Sequence, residues 1–188
     1  MNDSELRVPG FRAAGVRCGI KTAGTDVALL VSDVPAVAAG VLTRTTVPGA
    51  PVVVSREHLR RAARVRAIVA NSGCSNVAMG SRGLRDARAM AALAADGLGC
   101  APHEVLVAST GVIGEPLPME RLRRGIPDAV AALSEDGLPA AARAILTTDT
   151  RTKTALRTVR VGGRTVRLAG MAKGSGMVEP NMATVLCF

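Results

Sequence analysis

The sequence predicts a mixed α/β protein, with helices and strands interleaved along a domain-sized chain of 188 residues. Three observations carry that expectation. Short apolar runs of strand length recur at Asp26–Ser32, Ala67–Ala70 and Val105–Ala108. One long apolar stripe, Leu84, Ala87, Met90, Ala91, Ala94 and Leu98, repeats at helical spacing with Arg82, Arg85 and Arg88 off the stripe. No repeat, low-complexity stretch or linker divides the chain, and 48% hydrophobic residues give burial enough to offset chain entropy.

Taken in order, Asp26–Ser32 reads as a strand covered on both faces. Ala36–Leu42 and Ala50–Val54 read as further strands, broken by Pro35 and by Thr46-Val-Pro-Gly49. A helix over Arg56–Arg64 leads into a buried strand at Ala67–Ala70, and Asn71–Asn76 reads as a turn. Gly97 and Gly99 stop the long helix that begins at Leu84. Val105–Ala108 is a strand running straight into Ser109-Thr-Gly-Val-Ile-Gly114. Helices follow near Met119–Arg124, Pro127–Leu133 and Pro139–Leu146. Alternation from Ala155 to Leu168 around Gly162-Gly163 signals a hairpin.

Composition narrows the function classes. No run approaches the roughly eighteen apolar residues of a membrane span, and the acidic-polar start MNDSELRVPGF has no apolar core of a secretory signal. Four scattered cysteines without C-x-x-C spacing, and only two histidines, argue for reduced thiols in a cytoplasm and against a disulfide framework or metal site. A net charge of +9 suggests nucleic acid, but two phenylalanines with no Tyr or Trp leave almost no stacking platform. The densest basic run, Arg56–Arg66, is more simply a solvated helix face. Against 21 arginines the three lysines, Lys21, Lys153 and Lys173, each hint at a need for an amine.

Four stretches could carry chemistry. A strand ending in Ser109-Thr110-Gly111 can leave backbone N–H groups aimed into a cleft beside a hydroxyl, as an oxyanion hole requires, or it can be an ordinary strand-to-loop turn. Leu146-Thr-Thr-Asp-Thr150 offers caps and turn formers, or contacts to a polar substrate. Cys74 sits in a run of turn formers with neither histidine linked to it in sequence, which favours a structural thiol. Lys173-Gly-Ser-Gly176 is no phosphate loop, because the lysine precedes the glycines. The chain then stops five residues into what reads as a buried strand, Thr184–Phe188.

Lys173-Gly-Ser-Gly-Met-Val-Glu-Pro-Asn-Met-Ala-Thr184 resembles the self-cleavage segment of the ornithine acetyltransferase (ArgJ) family, also called glutamate N-acetyltransferase. The likeness extends to Ser109–Pro118, Thr147–Thr150 and Pro51–Leu59, and so covers nearly everything from about Gly15 onward. It implies the N-terminal half of a DmpA/ArgJ-like layered sandwich of β-sheets flanked by helices. It also implies a precursor cut between Ala183 and Thr184, with residues 1–183 as the α subunit and 184–188 as the start of β.

The resemblance makes Thr184 the nucleophile, with Thr110 and Gly111 as the oxyanion hole and Thr147, Lys173 and Thr184 as substrate contacts. Thr148 is open as the alternative hydroxyl. The expected reaction moves an acetyl group from N-acetyl-L-ornithine to L-glutamate in arginine biosynthesis, by a ping-pong route through an acyl-threonine. No metal or cofactor is implied, and acetyl-CoA is open as a second donor. The implied partner is the β subunit, in an α2β2 heterotetramer with neither nucleic acid nor membrane as partner. The family's Asn-Ser-Gly-Asn-Ala-Asn stands here as Asn71-Ser-Gly-Cys74-Ser75-Asn76. Two other readings stand beside it: a self-processing amidase or aminopeptidase with an N-terminal threonine, and an inactive basic binding fragment.

Overall fold

The computed structural model describes residues 6–62, 64–175 and 184–188. Four strands, β1 (Phe11–Val16), β2 (Val27–Ala36), β3 (Val65–Cys74) and β4 (Val105–Val112), form a first sheet in that order. The first three are antiparallel and β3–β4 is parallel. A parallel pair needs a crossover, and α2 (Gly80–Leu98) lies in it. With α1 (Ala50–Arg61) and α3 (Met119–Ala131), α2 packs against one face of this sheet. The helix α4 (Leu138–Ala144) lies on the other face and leads to an antiparallel second sheet of β5 (Lys153–Val161), β6 (Arg164–Lys173) and β7 (Leu186–Cys187). The result is the mixed α/β fold that the interleaved pattern predicts, in the layered sandwich that the family resemblance implies.

Strand alternation sorts the core into two layers. Val27, Leu29, Val31, Val69, Val105 and Val107 face the stripe of α2 and Leu122 and Ile126 of α3. Ala13, Ala28 and Ala70 point the other way, onto Ala141, Ala142, Ile145 and Met171 of β6. Alanines on that second face let α4 lie close. At Gly15 a Cβ would stand 2.1 Å from the Ala140 carbonyl oxygen, so only glycine fits under the helix. Tight seating of α4 fixes where the chain leaves for the second sheet.

The structure corrects four expectations. Strand β2 ends at Ala36, and residues 37–49 hold neither helix nor strand. Val37 and Val41 are exposed there; an apolar run without a ladder partner gains nothing from extension. Ala50–Val54 is the first part of α1, not a strand, and Pro51 sits in its opening turn, where proline costs no hydrogen bond. The 71–76 segment is no turn at its start, because β3 stays in register with β4 through Gly73 and ends at Cys74, where the register shifts. The two helices expected around Pro127 are one: α3 carries that proline in its interior. The hairpin over β5 and β6 turns at Gly162-Gly163 as the alternation predicts.

Candidate active site

The first sheet contributes the end of β4. Its outer edge has no further strand, and a side chain stands in for one: Ser55 Oγ accepts the Val107 N–H at 2.8 Å and donates to the Val107 carbonyl at 2.7 Å. Gly111 lies farther along this strand, past the stretch Ser55 covers. Gly111 adopts φ +136°, and a Cβ there would lie 2.3 Å from the Gly73 carbonyl carbon, so neighbouring strands pass too closely for any side chain. Thr110, expected at the end of a strand, lies within β4, which runs on to Val112, and is 1% exposed.

The second sheet contributes the end of β6. Lys173 is 5% exposed, and its Nζ donates to Thr110 Oγ1 at 3.0 Å and to the Thr184 carbonyl at 3.4 Å. Burial holds its ammonium below the ordinary lysine range, partly opposed by the charge of Asp149 and reinforced by that of Lys153. An ammonium only donates. Thr110 Oγ1 therefore spends a lone pair on Lys173, and its own hydrogen stays free to point elsewhere. Lys173 thus meets Thr110, 63 positions away in sequence, and Thr184, 11 positions away, with Thr184 half-buried beside it.

Thr147 lies on the segment that follows α4, half-buried, whereas Thr148 is exposed. That difference favours Thr147 as the residue facing inward. Ala183 lies outside the described residues. Asp149 went unassigned from the sequence. Its side chain is fully buried, accepts the Gly174 N–H at 2.9 Å and pairs with Lys153. Lys21, flagged only as a rare lysine, donates from Nζ to the Leu146 carbonyl at 2.9 Å. The signal for Lys21 was the lysine count. All three lysines meet this one corner of the molecule.

Cysteine chemistry finds no support here. Burial pushes the Cys74 thiol up, away from a reactive thiolate, and its Sγ lies 3.2 Å from the Glu115 carbonyl. Cys18 is pushed up to about 12 by burial and then by Asp26. His58 is occupied with the Val105 carbonyl at 2.7 Å. Among the described residues no group of three or more His, Cys, Asp or Glu could hold a metal ion, and no helix is long and apolar enough to cross a membrane.

Fold and site together describe a two-sheet α/β chain whose buried hydroxyl and amine meet where the sheets join. The chain belongs to the ArgJ family, whose model matches residues 12–188. It is 53% identical over 182 residues to the arginine biosynthesis bifunctional protein ArgJ of Symbiobacterium thermophilum, covering 95% of this chain and 45% of that protein. Against the protein of the same name from Thermosynechococcus vestitus it is 49% identical, covering 95% and 43%. The chain thus spans less than half the length of these relatives. Crystal structures agree on the fold. The bifunctional protein ArgJ of Bacillus halodurans superposes with a TM-score of 0.87 at 41% identity, covering 94% of this chain and 92% of that one. Ornithine acetyltransferase of Mycobacterium tuberculosis, complexed with ornithine, gives 0.85 at 36%, covering 95% and 94%.

Proposed function

We propose that this chain is the α portion, with the first residues of β, of a self-processing acetyltransferase that moves an acetyl group from N-acetyl-L-ornithine to L-glutamate. The observation that carries the reading is the Lys173 amine bridging the Thr110 hydroxyl and the Thr184 carbonyl. It joins the expected oxyanion residue to the expected nucleophile. Names and contents of the relatives support the substrate class: the structures and sequences similar to this chain are arginine-biosynthesis proteins, one of them complexed with ornithine.

In the first step Thr184 Oγ attacks the Ala183 carbonyl carbon. The bond to the Thr184 nitrogen breaks, leaving an ester on Oγ and a free α-amine. Water then hydrolyses the ester, giving a carboxylate at 183 and a regenerated hydroxyl at 184. The new α-amine, with an unperturbed pKa of about 7.7–8.0, is partly neutral near pH 7 and takes the hydroxyl proton in each later attack. Thr184 Oγ next attacks the acetyl carbonyl of N-acetylornithine; ornithine leaves as its amine, carrying that proton, and the acetyl stays on Oγ. Glutamate's amine attacks this ester and departs acetylated. In every step the developing oxyanion is received by the free hydrogen of Thr110 and the N–H of Gly111. Lys173 and Thr147 contact the amino-acid substrates, Lys173 as an ammonium suited to an α-carboxylate.

Residues 1–183 form α in this reading and 184–188 begin β, the two halves assembling as α2β2 in the cytoplasm. The length of the relatives leaves room for that second portion, which supplies the rest of the site. No resident cofactor takes part, and acetyl-CoA is an additional donor to be tried. The experiment uses the full-length gene product. Intact mass is expected to show two pieces, one ending at Ala183, and the purified protein to acetylate glutamate only when N-acetylornithine is supplied. Acetate release without transfer would make it a hydrolase, and transfer by an uncut chain would refute the N-terminal-threonine mechanism.

A further inference from the structure

Asp149 is a fully buried carboxylate that the steps above do not use. One oxygen, Oδ1, takes the Gly174 N–H at 2.9 Å and the Lys153 ammonium. The other, Oδ2, is buried with no hydrogen-bond partner. A buried carboxyl left alone would be driven toward its neutral form. Here burial does push upward, but the Lys153 hydrogen bond, the Gly174 N–H and the charges of Lys153 and Lys173 outweigh it and hold the group below the usual carboxylate range. The protein keeps a charge in a place where keeping one is costly.

The neighbours of Asp149 say what that charge does. Its segment enters from α4 with the Leu146 carbonyl held by Lys21, and it leaves toward β5, where Lys153 stands. Gly174 follows Lys173 directly, and the chain runs from there toward Thr184. Strand β7 returns beside it, with Leu186 in register with Lys173. One carboxylate therefore ties the Thr147 segment to the end of β6.

We infer that Asp149 is a positioning residue: by gripping the Gly174 N–H and standing beside Lys173, it holds the end of β6 so that the Lys173 amine stays on the Thr110 hydroxyl and the Thr184 carbonyl. This rests on the acetyl-transfer reading above. Asp149 does not touch the reacting atoms. It acts through Gly174, which anchors the end of β6, and through Lys173, whose donation to Thr110 Oγ1 leaves that hydroxyl's hydrogen to point elsewhere. The charged groups facing Lys173 are Asp149, on the segment before β5, and Lys153 on β5. With Asp149 gone, only the like charge of Lys153 remains, and Lys173 loses its proton at lower pH.

Asp149→Asn in the full-length precursor keeps shape and one acceptor while removing the charge. Small displacements of reacting groups are costly, so the two pieces are expected to appear about 10- to 100-fold more slowly. In preparations allowed to finish cutting, kcat is expected to fall while KM for N-acetylornithine stays within about twofold, and the alkaline limb of the pH profile to move to lower pH. Lys153→Met, which leaves Asp149 in place and removes an exposed partner, is the second variant; it is expected to slow cutting less and to move the alkaline limb the other way, because Lys173 then faces Asp149 alone. Melting curves of both variants give the folded fraction. Wild-type cutting rate, kcat and pH limb in folded Asp149→Asn would overturn the inference, as would losses that track the folded fraction alone. If the wild type itself neither cuts nor transfers, the reading beneath fails, and this inference with it.

Discussion

The two sheets that meet at the site are built to different standards. The first is buried on both faces, its valines and leucine against three helices and its alanines against α4. The second rests on α4 through β5 and through the end of β6 near Met171. Farther out, Val159, Val161, Val166 and Leu168 lie exposed, with Val159 and Val166 paired across the hairpin. A sheet with one open apolar face has few buried contacts to hold it and opens at lower cost. The site draws Thr110 and Gly111 from the covered sheet and Lys173 and Thr184 from the open one. In the proposed reaction, rigid scaffolding would supply the oxyanion donors, and the less supported sheet would supply the parts to be cut and presented.

Substitutions at the two sides of the site separate these roles. Thr184→Ala, on the open side, is expected to abolish cutting and transfer, a loss on the order of 10⁶, with the melting temperature unmoved; Thr184→Ser should restore both in part. Two pieces from the alanine protein, on intact mass, would sink the assignment. On the covered side, Thr110→Ala is expected to cost about 10² to 10³ in kcat while the fold survives. Gly111→Ala is different in kind. Its methyl would collide with the Gly73 backbone at 2.3 Å, so denaturant unfolding should show a loss of about 3 kcal/mol or more.

Legibility in the sequence divides along the same line. Val27–Val31, Val105–Val107 and the α2 stripe were readable because burial on both faces leaves continuous apolar runs and a clean helical period. Ala50–Val54 misled because a short β-branched run looks alike in a strand and in a helix start, and Pro51 was the overlooked signal. Asn71–Cys74 read as a turn because its polar residues are buried by bonds that sequence does not display. Asn71 Nδ2 reaches the Cys74 carbonyl at 2.9 Å and Ser72 Oγ the Ala144 carbonyl at 2.6 Å. At the site, Thr110-Gly111 and Lys173 stood out as candidates in the residues themselves, and the resemblance gave them their roles and added Thr184. Asp149 did not stand out, because its role depends on Gly174, 25 residues away, and no local spacing announces a bond between a carboxylate and a distant backbone N–H.

Stability should follow the same contrast. Leu29 is fully buried in the first sheet, and Leu29→Ala is expected to cost about 2–5 kcal/mol in urea unfolding. A smaller effect comes from pH. Asp149 titrates below its ordinary value when folded, so in the unfolded chain it binds its proton first, near pH 3.9. Its contribution is therefore complete above about that pH and is lost as pH falls through the folded value. Because the carboxylate ties the α4 exit to β6, amide exchange in β5 and β6 should lose protection on acidification before exchange in β2 and β3 does. Asp149→Asn should remove that order; an unchanged order in the variant would place the acid sensitivity elsewhere.

The smallest effect tests the open face itself. Leu168 is more than half exposed, and in this chain alone Leu168→Gln removes almost nothing from water contact that folding had buried. Its unfolding free energy should match the parent within about 0.5 kcal/mol. In the assembled protein the expectation reverses. If the β portion covers this face, the same glutamine leaves a polar amide against an apolar surface without a partner, at a cost of about 1–3 kcal/mol. The α and β pieces should then separate at lower urea in the variant than in the parent, as size-exclusion chromatography would show. Equal separation would mean that β docks elsewhere, and that the hairpin's valines face solvent in the finished protein as well.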